Sequence, residues 1–139
     1  MGRRQGREAA LKTLFQVELG GVQPEFALRT TCEEDKVPSA DAGFARELVT
    51  GVLSRLNEVD QIIGRFSSDW SVERMPAVDR VILRVACFEL MFRPDIPVAV
   101  AISEAVELAK KYSTPEAGRF INGVLSAVAR LRSAKDGRV

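Results

Sequence analysis

Apolar positions recur at steps of three and four along nearly the whole chain, the spacing of one face of an α-helix. Ala10, Leu11, Leu14, Phe15 and Leu19 predict a first helix over residues 7–19, which Gly20-Gly21 ends. Pro24 opens a second, shorter helix through Phe26 and Leu28, since proline suits the first helical position. Glu33 to Pro38 reads as a loop. From about Asp41, a longer helix carries Phe44, Leu48, Val52, Leu56 and Val59 on one face, and a further turn or helix carries Ile62, Ile63 and Phe66. Ser67-Ser68-Asp69 breaks the pattern, with Trp70 expected to plug the core beside it.

After Pro76, Val78, Val81, Ile82, Val85, Phe88 and Leu90 exceed a single stripe. They predict a central helix buried on more than one side. It must stop near Arg93, because Pro94 disfavours helix in the residue before it. Asp95-Ile96-Pro97 connects to a helix over Val98 to Tyr112 with Ile102, Ala105, Val106 and Ala109 inward. Thr114-Pro115-Glu116 is a restart signal: a capping hydroxyl, a first-turn proline and an acid at the positive helix end. Phe120, Ile121, Val124, Leu125, Val128 and Leu131 form the last apolar face, and the polar stretch from Arg132 to Val139 is expected to fray.

No strand pattern, repeat or low-complexity tract interrupts this. The fold class is all-α, about six to seven helices in two packed helical subdomains. Residues 1–139 form a single domain with a basic arm over 1–8 and a subdomain boundary near 67–75. A chain of 139 residues is long enough to bury a core without staples. The 46% hydrophobic and 28% charged residues are those of a globular protein rather than a disordered one.

Charge and chemistry narrow the function. A net charge of +1 argues against nonspecific coating of nucleic acid, so the distribution of charge matters more than its sum. Cys32 and Cys87 match no metal spacing and indicate no disulfide framework, which fits a reducing cytoplasm. The basic start lacks the apolar run of a signal peptide, and no stretch approaches the roughly 18 apolar residues of a membrane span. The chain has no histidine, which removes the commonest general base and zinc ligand. Neither GxxxxGK[ST] nor GxGxxG occurs. The pair Glu104 and Glu107 has no nucleophile or metal-ligand partner and reads as surface. The expectation is a non-enzyme without cofactor or metal.

Three charged groups remain. Arg3, Arg4 and Arg7, with Lys12 beyond them, lead into the first helix with Glu8 as the only acid among them. Guanidinium groups grip phosphates, stack on bases and keep their charge, so a short arginine arm suits RNA; a solvated basic terminus is the plainer alternative. Lys110, Lys111 and Arg119 flank Tyr112 and Phe120. That mixture suits a single strand held by phosphate contacts and stacking, although Phe120 also lies at core spacing. Asp79, Arg80, Arg84 and Glu89 project between the apolar positions of the central helix, as a docking surface for a protein or as a solvated face. Asn122-Gly123 falls inside the last helix, where glycine costs about 1 kcal/mol against alanine. Close approach of a neighbouring helix or of a bound backbone would account for it, packing being the first choice.

The stretch Arg3-Arg4-Gln5-Gly6-Arg7-Glu8-Ala9-Ala10-Leu11-Lys12-Thr13-Leu14-Phe15 resembles the arginine-rich first helix of NusB proteins. Asp79 to Leu90, reading DRVILRVACFEL, is similar to their buried helix. From Asp95-Ile96-Pro97 through Ala101 to Lys110 (AISEAVELAK) and on to Arg119 to Leu125 (RFINGVL), the chain resembles the family's late signature nearly position for position. The resemblance covers about residues 3–131.

It implies an RNA-binding adaptor in bacterial transcription. Such an adaptor pairs with NusE, also a small-subunit ribosomal protein, and binds the boxA RNA element. The pair helps build an antitermination complex on RNA polymerase, notably during ribosomal RNA synthesis, and some members form homodimers. By position, the resemblance puts Arg3, Arg4, Arg7, Phe15, Arg119, Phe120 and the Glu116 loop near the RNA, with phenylalanine at 15 where relatives often carry tyrosine; Lys12 and Lys111, from the charge reading, complete the candidate RNA surface. It puts Asp79, Arg80 and Arg84 on the helix implicated in docking NusE, and Glu89 of the same charge group joins them as a candidate partner contact. Gln5-Gly6 interrupts the arm where relatives run more arginines, and Glu116 would repel phosphate. The competing expectation is a homodimeric or ribosome-assembly scaffold without specific RNA binding.

Overall fold

The computed structural model describes residues 3–67 and 70–135. Parts of the expected arm, of the break at 67–69 and of the polar tail lie outside them. Among the described residues the chain forms seven α-helices and no strand: α1 (Arg4–Gly20), α2 (Pro24–Glu34), α3 (Ser39–Ser54), α4 (Leu56–Phe66), α5 (Ala77–Phe92), α6 (Val98–Tyr112) and α7 (Pro115–Lys135), with a 3₁₀ turn at Val72–Arg74 before α5. No described helix is long and apolar enough to cross a membrane.

The helix ends follow the local chemistry. Gly21 takes φ 63°, and the Gly21 and Val22 amides donate to the Val17 and Gln16 carbonyls, a Schellman closure of α1. Pro24 heads α2, where the Gln23 side-chain oxygen accepts from the Phe26 amide. Thr114 Oγ1 accepts from the Ala117 amide at 3.0 Å and caps α7 ahead of Pro115.

The chain divides into two compact units, up to Ser54 and from Arg55 onward. The periodicity carried one helical face from Phe44 through Val59; the backbone instead breaks at Arg55 (φ −121°, ψ 27°), whose carbonyl then accepts from the Val59 amide as α4 begins. Nothing in the spacing marks this break, because apolar positions 52, 56 and 59 keep step across it. The stretch 67–75 lies within the second unit, between α4 and α5.

In the first unit α1 packs on α3 and α2. Ala9, Ala10, Leu11 and Leu14 meet a core that includes Phe44, Ala45, Leu48, Val49, Val52, Ala27 and Leu28. The start of α1 crosses the first turn of α3 closely: the Gly6 amide donates to Asp41 Oδ2 at 3.1 Å. A Cβ on Gly6 would stand 2.7 Å from the Asp41 carbonyl oxygen and 3.1 Å from Phe44 Cδ2.

In the second unit α5 packs on α4, α6 and α7, and ten of its sixteen residues are buried, as apolar positions in excess of one stripe predict. Val59 and Ile63 of α4, Ala101, Ala105, Leu108 and Ala109 of α6, and Ile121, Val124, Leu125 and Val128 of α7 complete this core. Two expectations change. Trp70 is 38% exposed rather than a core plug. At the far end, Arg132 is buried on a helix that continues to Lys135, and its Nη2 donates to the Pro94 carbonyl at 2.6 Å. Residues 136–139 lie outside the described ones.

Gly6→Ala should lower stability by about 1–3 kcal/mol in urea unfolding, because backbone and an aromatic ring must give way. Unaltered stability would mean that the crossing is not tight. Burial pushes the Cys87 thiol up to about 12, while Cys32 is only half-buried. Between about pH 9 and 12 Cys87 therefore keeps its proton when folded and loses it when unfolded, so its contribution to stability is present below pH 9 and is lost as pH rises toward 12. A thiol reagent at pH 8 should reach Cys87 only on unfolding.

Candidate nucleic-acid interface

The first unit carries the N-terminal arginines. Arg3 sits at the cap of α1, and Arg4 and Gln5 form its exposed start. The Arg3 and Arg7 guanidinium carbons lie 4.5 and 5.2 Å from the centroid of the Phe44 ring. Arg7 is buried. The expected arm is thus already helical from Arg4 onward, anchored where Gly6 lets α1 close on α3. The first turn of α1 contains no acid, so these cations face the positive end of the helix dipole, an arrangement that costs stability but attracts an anion. Lys12 pairs with Asp35 at 2.7 Å, each about two-fifths exposed, and Phe15 is half-buried.

The second unit carries the other basic group. Lys111 is exposed at the end of α6, its ammonium 5.4 Å from the Tyr112 ring. Lys110 pairs with Glu107 at 3.4 Å. Glu116 occupies the first turn of α7, where an acid suits the dipole. Arg119 is exposed and Phe120 half-buried. The Phe120 ring meets Trp70 edge to face at 5.4 Å and 77°. Phe66, Ser67, Trp70, Arg119, Phe120, Gly123 and Val124 line a recess of about 460 Å³. Arg65 holds its guanidinium carbon 5.3 Å from the Phe66 ring.

Sequence reasoning singled out Arg119 and Phe120 but missed Arg65, Phe66, Ser67 and Trp70 as companions. The one available signal was Gly123: among the described residues, nothing beyond its own stretch of helix lies within 4 Å of where its Cβ would be, so no described neighbouring helix accounts for it.

The four charged residues of α5 do not form an open face. Asp79 is buried and its Oδ1 accepts from Ser113 Oγ at 2.6 Å. Arg80 Nη1 donates to the carbonyls of Val72, Glu73 and Met75 at 3.1, 3.3 and 2.9 Å, bracing the 3₁₀ turn. Arg84 makes a bidentate pair with Asp60 of α4, Nε to Oδ1 at 2.8 Å and Nη2 to Oδ2 at 2.9 Å. Glu89 is 1% exposed. The expectation that all four project is corrected: a helix packed on three neighbours turns its polar positions inward too, and those must be satisfied within the fold.

A profile of the NusB family matches residues 4–130. The transcription antitermination protein NusB of Heliobacterium modesticaldum is 50% identical over 136 residues, covering 97% of this chain and 66% of that protein. The protein of the same name from Desulforamulus reducens is 49% identical over 125 residues, covering 90% and 87%. Among solved structures, that of the antitermination factors NusB and NusE in complex with dsRNA includes a chain that superposes with a TM-score of 0.86 at 30% identity, covering 93% of this chain and 96% of that one.

Asp79→Ala removes the acceptor of Ser113 and should cost about 1–3 kcal/mol in urea unfolding. Ser113→Ala should then add little in the Asp79→Ala background. Full additivity would separate the two residues.

Proposed function

The chain belongs to the NusB family, and on that premise we propose that it is an RNA-binding adaptor of bacterial transcription antitermination. It binds boxA-type single-stranded RNA together with NusE, within the antitermination complex on RNA polymerase, notably in ribosomal RNA synthesis. Its role is regulatory rather than catalytic, and it acts in the cytoplasm. The observation that carries this is the likeness, over nearly the whole chain, to a NusB solved with NusE and RNA. The exposed Arg3 and Arg4 at an acid-free helix start support it independently. So does the basic and aromatic surface formed by Lys111, Arg119, Phe120 and Trp70.

Each arginine has its own part. Arg3 and Arg4 supply phosphate contacts, and such contacts make affinity fall with salt. Arg7, buried against Phe44, mainly orients the start of α1. Phe15 and Phe120 offer ring faces for stacking, and Lys12 contributes a charge that Asp35 partly offsets. NusE docks along α5, where Arg80 and Arg84 are half-buried. There Asp79 and Glu89 act by fixing the helix rather than by reaching the partner.

Fluorescence anisotropy of a labelled boxA-type RNA, titrated with the protein alone and with purified NusE against a scrambled RNA, tests this. Selective binding that tightens with NusE is the expected result; no selectivity in either titration would leave a protein-contact scaffold as the function. Arg3→Ala and Arg4→Ala should each weaken binding across sequences and reduce the log–log salt slope by about 1. An unchanged slope would remove them from the interface.

A further inference from the structure

Phe44 of α3 makes contacts that core packing alone does not require. The residue is 5% exposed, so it presents no ring face to a ligand. Two arginines from the start of α1 nevertheless lie over that ring. The Arg3 guanidinium carbon is 4.5 Å from its centroid, and that of Arg7 is 5.2 Å away. Arg3 is exposed and Arg7 is buried. One ring thus meets a cation that water reaches and a cation that it does not.

The local sequence opposes this arrangement. Arg3 and Arg7 stand four residues apart, and like charges at that spacing repel on a helix. The first turn of α1 holds no acid, and the helix dipole brings its positive end to the same place. Both effects favour an Arg3 side chain turned away into solvent. A phenyl face is negative relative to its edge and attracts a guanidinium. An aliphatic side chain of similar volume would fill the same core without that attraction. The backbone admits the ring: Asp41, one turn before Phe44, accepts the Gly6 amide at Oδ2, 3.1 Å away. A Cβ at position 6 would stand 3.1 Å from Phe44 Cδ2, so glycine there lets the ring come under the start of α1.

We infer that Phe44 is a positioning residue of the RNA interface: without touching RNA, the face of its ring holds the Arg3 guanidinium at the start of α1, its charge open to a phosphate, while Arg7 is fixed against the same ring as support. This rests on the RNA-binding reading above and deepens it. The strength of the arginine contact then depends on the charge distribution of a buried ring in α3 as well as on the arginines. A guanidinium already held in place has less freedom to lose when it meets a phosphate.

Anisotropy of a labelled boxA-type RNA is measured across a salt series, with NusE present, for the full-length protein, Phe44→Leu, Arg3→Ala and the double variant. All titrations are made at a temperature where circular dichroism shows the proteins folded. Phe44→Leu should weaken binding about fivefold and move the log–log salt slope toward that of Arg3→Ala. In the Arg3→Ala background it should add little, because the ring acts through that arginine. Leucine also changes the packing, so Phe44 is replaced in parallel by pentafluorophenylalanine, which nearly keeps the ring's shape and reverses the charge of its face. That protein should lose affinity and slope as Phe44→Leu does; it carries the test alone should Phe44→Leu not fold. Unchanged affinity and slope in the fluorinated protein, or a loss in Phe44→Leu that persists in full in the Arg3→Ala background, would overturn the positioning role and leave RNA binding in place. Absence of RNA binding by the unaltered protein, with and without NusE, would overturn the adaptor reading and the positioning role together.

Discussion

Much of the second unit depends on how completely α5 is buried. A helix with one wet face can leave its charged residues to solvent; a helix packed on α4, α6 and α7 cannot. Its polar groups must find partners inside the fold or carry the cost of lost hydration. Asp79 takes the Ser113 hydroxyl, Arg84 grips Asp60 in bidentate fashion, and Arg80 gathers three backbone carbonyls of the segment that leads into the helix. These bonds fix the end of α6, the face of α4 and the approach from Trp70, so the packing of one helix sets the geometry of the surface around it.

The first unit solves a similar problem with backbone rather than side chains. Gly6 removes a Cβ at the point where α1 crosses α3, and the Asp41 carboxylate receives the Gly6 amide there. Closing that crossing lays Arg7 against Phe44 and leaves Arg3 and Arg4 at the helix start. Cations at the positive end of a helix cost stability. The start of α1 is thus already helical from Arg4 onward.

The two aromatic surroundings differ. Phe44 is buried and serves as a platform beneath arginines, whereas Trp70 keeps an exposed ring beside Phe120. The first follows from a neighbouring small residue: Gly6 lets α1 close over Phe44.

The sequence by itself determined the helices, because burial requires apolar residues at helical spacing and because Gly21, Pro24, Thr114 and Pro115 write their own end signals. It also determined the burial of α5 on several sides and, through residue-by-residue resemblance, the family. It left the break at Arg55 hidden, since apolar spacing runs on across it and no glycine or proline marks the turn. Only the tertiary structure decided which polar residues face inward. Asp79, Glu89, Arg7 and Arg132 are as polar in sequence as any surface residue, and burial depends on what packs against them from distant parts of the chain. The same holds for Trp70 and Gly123, whose shared recess forms only when α7 folds back beside the end of α4. Periodicity reports one helix at a time; a site assembled from several helices has no period to read.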